Sequence, residues 1–280
     1  MRRDISHEKI KDTVARLCID ANYFLGNDMI QAFKSYIENE ESDTGRDILK
    51  QLLRNAEIAE KEQVPLCQDC GFAVVFLEIG TGVCFEGNII EAINDGVRKG
   101  YTEGYLRKSI LSDPVKGKNT NDNTPAIIHT TFVPGDKIKI TVAPKGGGSE
   151  NMSEVKMMKP ADGIEGVKDF VVDRVLRSSS NPCPPTVVGV GIGGTFEYVA
   201  FLAKKALLRN IGERNTDPFY ADIERELLQR INNLGIGPMG LGGRTTSLDV
   251  FIETHPRHIA SFPVAVNINC HVARHKTAII

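Results

Sequence analysis

The sequence predicts a mixed α/β (α+β) fold: a helical N-terminal part, then a mixed sheet whose glycine-rich loops surround a site. Three observations carry this expectation. Apolar residues recur at helical spacing through residues 5–61. From residue 72 onward, short β-branched runs alternate with further helical stretches, as when helices layer on a sheet. Glycines cluster at 146–148, 189–194 and 235–243, where the apolar runs stop.

In the first part, Ile10, Val14, Leu17 and Cys18 form one stripe and Ile30, Phe33 and Ile37 another. Ser42-Asp43-Thr44-Gly45 reads as a turn and cap, after which Ile48, Leu52, Leu53 and Ile58 continue the pattern. Cys18 lies on a stripe and reads as a small core residue. Residues 72–80 read as a buried strand, 82–85 as a turn holding Cys84 in a structural role, and 89–100 as a helix. The polar loop at 114–125, rich in Lys, Asn and Asp, is long enough to be either mobile or functional.

Residues 126–133 and 137–143 read as a hairpin about Pro134-Gly135-Asp136. The second strand runs into Pro144-Lys145-Gly146-Gly147-Gly148-Ser149-Glu150-Asn151. Three consecutive glycines suit close approach of main chain to a ligand, the alternative being a flexible linker. Residues 163–177 form a helix on Ile164, Val167, Val171 and Val175. Prolines then bracket Cys183 in a rigid, extended segment. The strand at 186–194 carries Gly189, Gly191 and Gly194 in a G-x-G-x-x-G match before a helix at 195–209. Without an acidic residue closing a following strand, this is weak evidence for a dinucleotide site; the same glycines also suit an anion at the helix start. A helix at 217–234 and strands at 248–253 and 262–270 complete the chain, read as a single domain, 1–280, with helical residues 1–62 packed on a core of 63–280.

Composition narrows the function. The chain has 280 residues, 41% hydrophobic and 25% charged, as a soluble globular protein does. Lys+Arg 34 against Asp+Glu 36 gives a net charge of -2, which implies neither nucleic-acid nor membrane binding. No apolar run has the length of a membrane span, and Met1-Arg2-Arg3-Asp4 turns charged at once, without a signal-peptide core. The six cysteines are therefore expected as reduced thiols in the cytoplasm.

The candidate site centres on Val64-Pro65-Leu66-Cys67-Gln68-Asp69-Cys70-Gly71. Two thiols at C-x-x-C spacing usually signal zinc or a redox dithiol, but a second such pair is missing. Cys183 and Cys270 stand alone in rigid or strand-like settings instead. Three separated thiols, Cys67, Cys183 and Cys270, suit a [4Fe–4S] cluster held at three irons, because thiolate is the soft ligand such clusters take. The fourth iron is then open as a Lewis acid for the hydroxyl and carboxylate of a hydroxy acid. Asp69 and His258 are acid–base candidates, and Arg107 suits a carboxylate.

Four segments in order resemble one family: Cys67-Gln68-Asp69-x-Gly71; Lys145 to Asn151; Cys183-Pro184-Pro185 with Gly189 to Gly194; and Asn267-Ile268-Asn269-Cys270. The chain is similar over nearly its whole length to the alpha subunit of two-subunit class I (iron–sulfur) fumarate hydratase, with L-tartrate dehydratase alpha as a close relative. The resemblance implies an oxygen-sensitive hydro-lyase with a [4Fe–4S] cluster on Cys67, Cys183 and Cys270. It implies substrate contacts from Gln68, Asp69, Arg107 and the backbone at Gly147, and His258 close to Asp69 in the catalytic network. It implies fumarate hydration to L-malate in the tricarboxylic acid cycle, with tartrate as the alternative substrate. It also implies a separate beta subunit, in a heterotetramer, that supplies the remaining cations. Position 70 departs from the family, where Thr is common; Cys70 is expected to be a spectator, the alternative being a substitute thiolate for its neighbouring ligand. The rival readings are a zinc or redox protein on Cys67-x-x-Cys70, a nucleotide-binding module on Gly189 to Gly194, and a non-catalytic structural partner.

Overall fold

In the computed structural model, residues 3–280 are described; the charged start at Met1 and Arg2 lies outside them. Strand β1 (Arg3–Ile5) precedes helices α1 (His7–Tyr23), α2 (Asn27–Asn39) and α3 (Asp43–Glu62). Then come β2 (Phe72–Gly80), β3 (Val83–Phe85), α4 (Ile89–Glu103), β4 (Ile127–Val133) and β5 (Ile138–Lys145). The single turn α5 (Gly147–Glu150), β6 (Glu154–Met158), α6 (Gly163–Ser178), β7 (Thr186–Gly194) and α7 (Phe196–Ala206) follow. Helix α8 (Pro218–Asn232) and strands β8 (Ser247–Arg257), β9 (Phe262–Asn269) and β10 (Lys276–Ile279) close the chain.

The chain divides into two compact units: the segment ending at Gly26 with Asn55–Gly147 and Arg274–Ile280, and Asn27–Arg54 with Gly148–Ala273. Helix α1 belongs to the first unit, and α2 with the start of α3 to the second.

The first unit has a four-stranded sheet in the order β10-β5-β2-β4. Its core joins Val14, Leu17 and Cys18 of α1 to Ile93, Val97 and Tyr101 of α4 and to Val75, Leu77, Ile140 and Val142 of the sheet. Ser6 caps α1 by accepting the Lys9 N–H, and Asn88 caps α4 by accepting that of Ile90. Burial pushes the Cys18 thiol up to about 12, in keeping with its place in the core.

The expected hairpin at 126–143 is corrected by the pairing. Strand β2 lies between β4 and β5, parallel to the first and antiparallel to the second. The connecting turn closes over the end of β2: Gly80 N–H donates to Lys137 O, Thr81 to Val133 O and Gly82 to Gly135 O. The turn chemistry was legible, but its span admits a third strand. Cys84 is likewise not in a turn but in β3, which pairs in parallel with β1.

The second unit has three layers. Its sheet runs β6-β9-β7-β8, with β7 parallel to β8 and antiparallel to β9. Successive residues of β7 face opposite sides. Val188 and Val190 join Val167, Val171, Ile223 and Leu227 of α6 and α8. On the other side, a Cβ at Gly189 or Gly191 would stand 2.1 Å from Ala203 O or 2.2 Å from Val199 O of α7. Those glycines therefore bring α7 into backbone contact with the sheet, which accounts for the G-x-G-x-x-G match without a nucleotide. Tyr36 of α2 donates to Leu248 O at 3.0 Å and ties that helix to β8.

Candidate active site

The segment from Cys67 to Gly71 crosses from α3 to β2 in the first unit, and its main chain is pinned at each residue after Gln68. The Arg274 guanidinium donates through Nη2 to the carbonyl of Asp69. The Tyr101 hydroxyl donates to the carbonyls of Cys70 and Gly71 at 2.7 and 3.0 Å. Asn123, fully buried, donates to Gly71 O at 3.2 Å and accepts the Ser109 N–H at 2.8 Å. The polar loop at 114–125 is thus functional scaffolding through this residue. Gly71 has φ +74, and a Cβ there would stand 2.7 Å from Lys145 N, so the segment packs against the end of β5.

This scaffold presents Asp69 as a carboxylate held at both oxygens. Oδ1 accepts the Gly71 N–H at 3.0 Å and Oδ2 the Gly147 N–H at 2.8 Å. The glycine run after β5 therefore lies beside Asp69, and the N–H of Gly147 is given to that side chain. Asp69 N–H donates to Cys67 Sγ at 3.4 Å, and the Cys67 thiol is hydrogen-bonded to Gln68 Oε1 at 3.2 Å. Gln68 is exposed and Cys67 half-buried. Arg107 is also exposed, and its backbone N–H donates to Cys70 Sγ at 3.1 Å.

Cys70 is buried in the core with Val75 and Tyr101. Burial pushes its thiol up, against the pull of the Arg107 N–H and the Arg274 charge. A protonated core thiol does not suit a zinc or redox pair with Cys67.

In the second unit, pairing brings Cys183 and Cys270 to one end of the sheet. Cys183 precedes β7, Cys270 follows β9, and Val187 pairs with Asn269. His271 N–H donates to Cys183 O at 3.2 Å, and its Nδ1 lies 3.0 Å from the same oxygen. Both cysteines are half-buried and outside any disulfide. Cys183 has φ 53, a left-handed conformation that strains a residue with a Cβ and is typical of functional positions.

His258 lies elsewhere on that sheet. Gly194, the last residue of β7, pairs with Arg257, so His258 stands at the end opposite Cys183 and Cys270. The 9 residues of β7 separate them, roughly 30 Å at strand rise. His258 is exposed, and its Nδ1 accepts the Ala260 N–H at 3.1 Å, which places the proton of a neutral ring on Nε2. A cavity of about 490 Å³ lies at the same end, lined by Ile192, Phe219, Tyr220, His255, Arg257 and Phe262 among others.

The donors present fit an iron–sulfur cluster in chemistry: three half-buried thiols, each outside a disulfide, are soft ligands of the kind clusters take. Among the described residues no three His, Cys, Asp or Glu side chains gather as around a single ion.

Sequence reasoning missed Tyr101, Asn123 and Arg274. The first two sit in a helix and a polar loop with no motif. Arg274 follows Cys270 closely, and that spacing was its only signal.

The sequence matches the family described as Fumarate hydratase (Fumerase) over residues 11–279. It is 45% identical over 271 residues to a Methanocaldococcus jannaschii protein provisionally named L(+)-tartrate dehydratase subunit alpha, covering 94% of each chain. It is 31% identical over 275 residues to the L(+)-tartrate dehydratase subunit alpha of Escherichia coli O157:H7, covering 97% of this chain and 91% of that one. The corresponding protein of Escherichia coli strain UTI89 is 32% identical over 272 residues, with 96% and 90% covered. The chain belongs to the fumarate hydratase (Fumerase) family.

Proposed function

We propose that this chain is the alpha subunit of an oxygen-sensitive [4Fe–4S] hydro-lyase that interconverts fumarate and L-malate in the cytoplasm. Family membership makes it a hydro-lyase. The observation that carries the cluster reading is the meeting of Cys183 and Cys270 at one end of a sheet, with Cys183 held in a left-handed backbone. Cys67 is the proposed third ligand. When bound, the cluster supplies a Lewis-acidic iron for the hydroxyl and a carboxylate of the substrate.

The chain's own groups do the rest. Asp69, fixed by two amides, is the proposed acid–base residue, and Gln68 beside it and the backbone at Gly147 line the substrate. The exposed Arg107 pairs with a substrate carboxylate. A dicarboxylate needs cations at both ends, so a beta subunit completes the site in a heterotetramer. The relatives' designation as alpha subunits supports such a partner. His258 is the second proposed catalytic group. Its place at the end of its sheet opposite Cys183 and Cys270 supports a role in a site on a second alpha copy. No helix among the described residues is long and apolar enough to cross a membrane.

A second reading, L-tartrate dehydratase, is favoured by the names of the relatives. The two substrates share the carboxylates and the elimination of water. The deciding experiment is iron and acid-labile sulfide per chain after anaerobic purification, in wild type and Cys183→Ala. About four irons per chain, lost in the variant, is the expected result. Zinc retained by Cys183→Ala and lost by Cys70→Ala overturns it. Turnover of fumarate and of L-tartrate by the complex with the beta subunit then separates the two substrates.

A further inference from the structure

Arg274 is 6% exposed, and its Nη2 donates to the carbonyl of Asp69. Its Nε and Nη1 are buried with no hydrogen-bond partner among the described residues. We propose that Arg274 is a binding residue whose remaining N–H groups take an anion of the working site, either a substrate carboxylate or the thiolate-bound cluster. The proposal rests on the hydro-lyase reading above.

Holding one carbonyl does not call for a buried guanidinium. Two residues further on, the Tyr101 hydroxyl holds the carbonyls of both Cys70 and Gly71 with a single neutral donor. A cation with two unpartnered N–H groups is a costly way to do the same, because both the charge and the donors have left water without compensation. The cost is offset when an anion arrives, and a guanidinium presents several donors to it in a fixed plane. The contact that Arg274 makes to Asp69 is to its carbonyl, and the Asp69 carboxylate is taken up by the amides of Gly71 and Gly147. The negative charge expected here is the one that arrives with function: Cys67, bonded to the Asp69 N–H, as a cluster thiolate, or the acid that Asp69 works on.

The test compares wild type, Arg274→Gln and Arg274→Lys in the anaerobic complex with the beta subunit. Two quantities are read beside thermal stability. One is the rate at which ferricyanide converts the cluster to its three-iron form, followed by electron paramagnetic resonance. The other is the dissociation constant of succinate, a dicarboxylate with no double bond or hydroxyl to react. Arg274→Gln is expected to worsen one of them by about tenfold or more, and Arg274→Lys, which keeps the charge but not the plane of donors, by about threefold to tenfold. Faster conversion with unchanged succinate binding assigns the anion to the cluster and its thiolate; weaker succinate binding with an unchanged cluster assigns it to the substrate carboxylate. Wild-type values of both in a folded Arg274→Gln overturn the proposal. If Arg274→Gln does not fold, Arg274→Lys decides: a loss of about threefold or more in one quantity in the folded protein supports the proposal, and wild-type values of both overturn it. A wild type that takes up no iron overturns the hydro-lyase reading itself, a result distinct from all of these.

Discussion

The backbone N–H of Arg107 donates to the sulfur of Cys70 at 3.1 Å, so a buried thiol fixes the main chain of an exposed arginine. The bond links the segment carrying Asp69 to the one carrying Arg107 inside one unit. A serine or threonine hydroxyl at position 70 is expected to accept the same N–H, exchanging one acceptor for another.

Cys70→Ser and Cys70→Thr are expected to keep both iron content and the KM for the dicarboxylate within about twofold of wild type. Cys70→Ala removes the acceptor and only the volume of the sulfur. It leaves a half-buried N–H unpaired, destabilises the chain by about 1–3 kcal/mol and raises KM while iron per chain is unchanged. Iron analysis with steady-state kinetics checks this. Loss of iron in Cys70→Ser would make Cys70 a ligand and overturn its part as an acceptor.

Asp69 receives one amide at each carboxylate oxygen. An asparagine there offers one carbonyl oxygen to two donors and sets its own NH2 against the other. Asp69→Asn is expected to lower kcat by roughly 10²–10⁴, the range for losing a positioned acid–base group, with the cluster retained. Iron content, the cluster absorbance and kcat of the same preparation separate a chemical defect from a lost cofactor.

Glu40 is a pH-dependent support of the second unit. It is 2% exposed and accepts the backbone N–H groups of Ser42, Arg244 and Thr245 at 3.0, 2.8 and 2.7 Å. Burial alone raises its carboxyl, but the hydroxyl and backbone hydrogen bonds from Thr245, Ser42 and Arg244 outweigh it and leave the group below its ordinary value. In the unfolded chain it titrates near the ordinary value of about 4.3. Because the folded value is lower, the stabilisation is complete above the unfolded value and is lost as pH falls through the folded one. Glu40→Gln keeps one acceptor and turns an NH2 toward the remaining donors. It is expected to cost about 2 kcal/mol at pH 7, with a gap to wild type that narrows below about pH 4. Urea unfolding at the two pH values measures both.

Periodicity placed the core in two helices, where Val14, Leu17 and Cys18 of α1 and Val167, Val171 and Val175 of α6 are buried, but not in α3, where Leu49, Ala56 and Ala59 are buried and Ile58 of the expected stripe is 40% exposed. Pairing was less legible, because Pro134-Gly135-Asp136 encodes a turn but not the insertion of β2 beneath it. Short β10 has no local pattern that separates it from a tail, and β6 follows a glycine loop that masks it. In the site, motif residues such as Cys67, Asp69 and Gly147 were legible, since reactive groups and glycines stand out by type. Tyr101, Asn123 and Arg274 were not, because a residue that holds a carbonyl from afar carries no signature in its own neighbourhood.

The register of β7 with β8 and β9 makes a prediction about His258 that needs no chemistry of the cluster. Cys183 and Cys270 lie at one end of that sheet and His258 at the other, so a single copy does not bring them together. Closed two-fold assembly gives each copy access to the other's far end. If His258 acts in trans, Cys183→Ala and His258→Ala chains inactivate different elements of each site. A mixed assembly then contains one site with both lesions and one with neither. Coexpressing the two inactive variants with the beta subunit at equal amounts is expected to restore about a quarter of wild-type turnover, since half of the assemblies are mixed and half of their sites intact. Iron analysis of the same sample shows the cluster in His258→Ala copies only. No recovery on mixing, with His258→Ala alone inactive, would put His258 in the site of its own chain and require a rearrangement of this sheet.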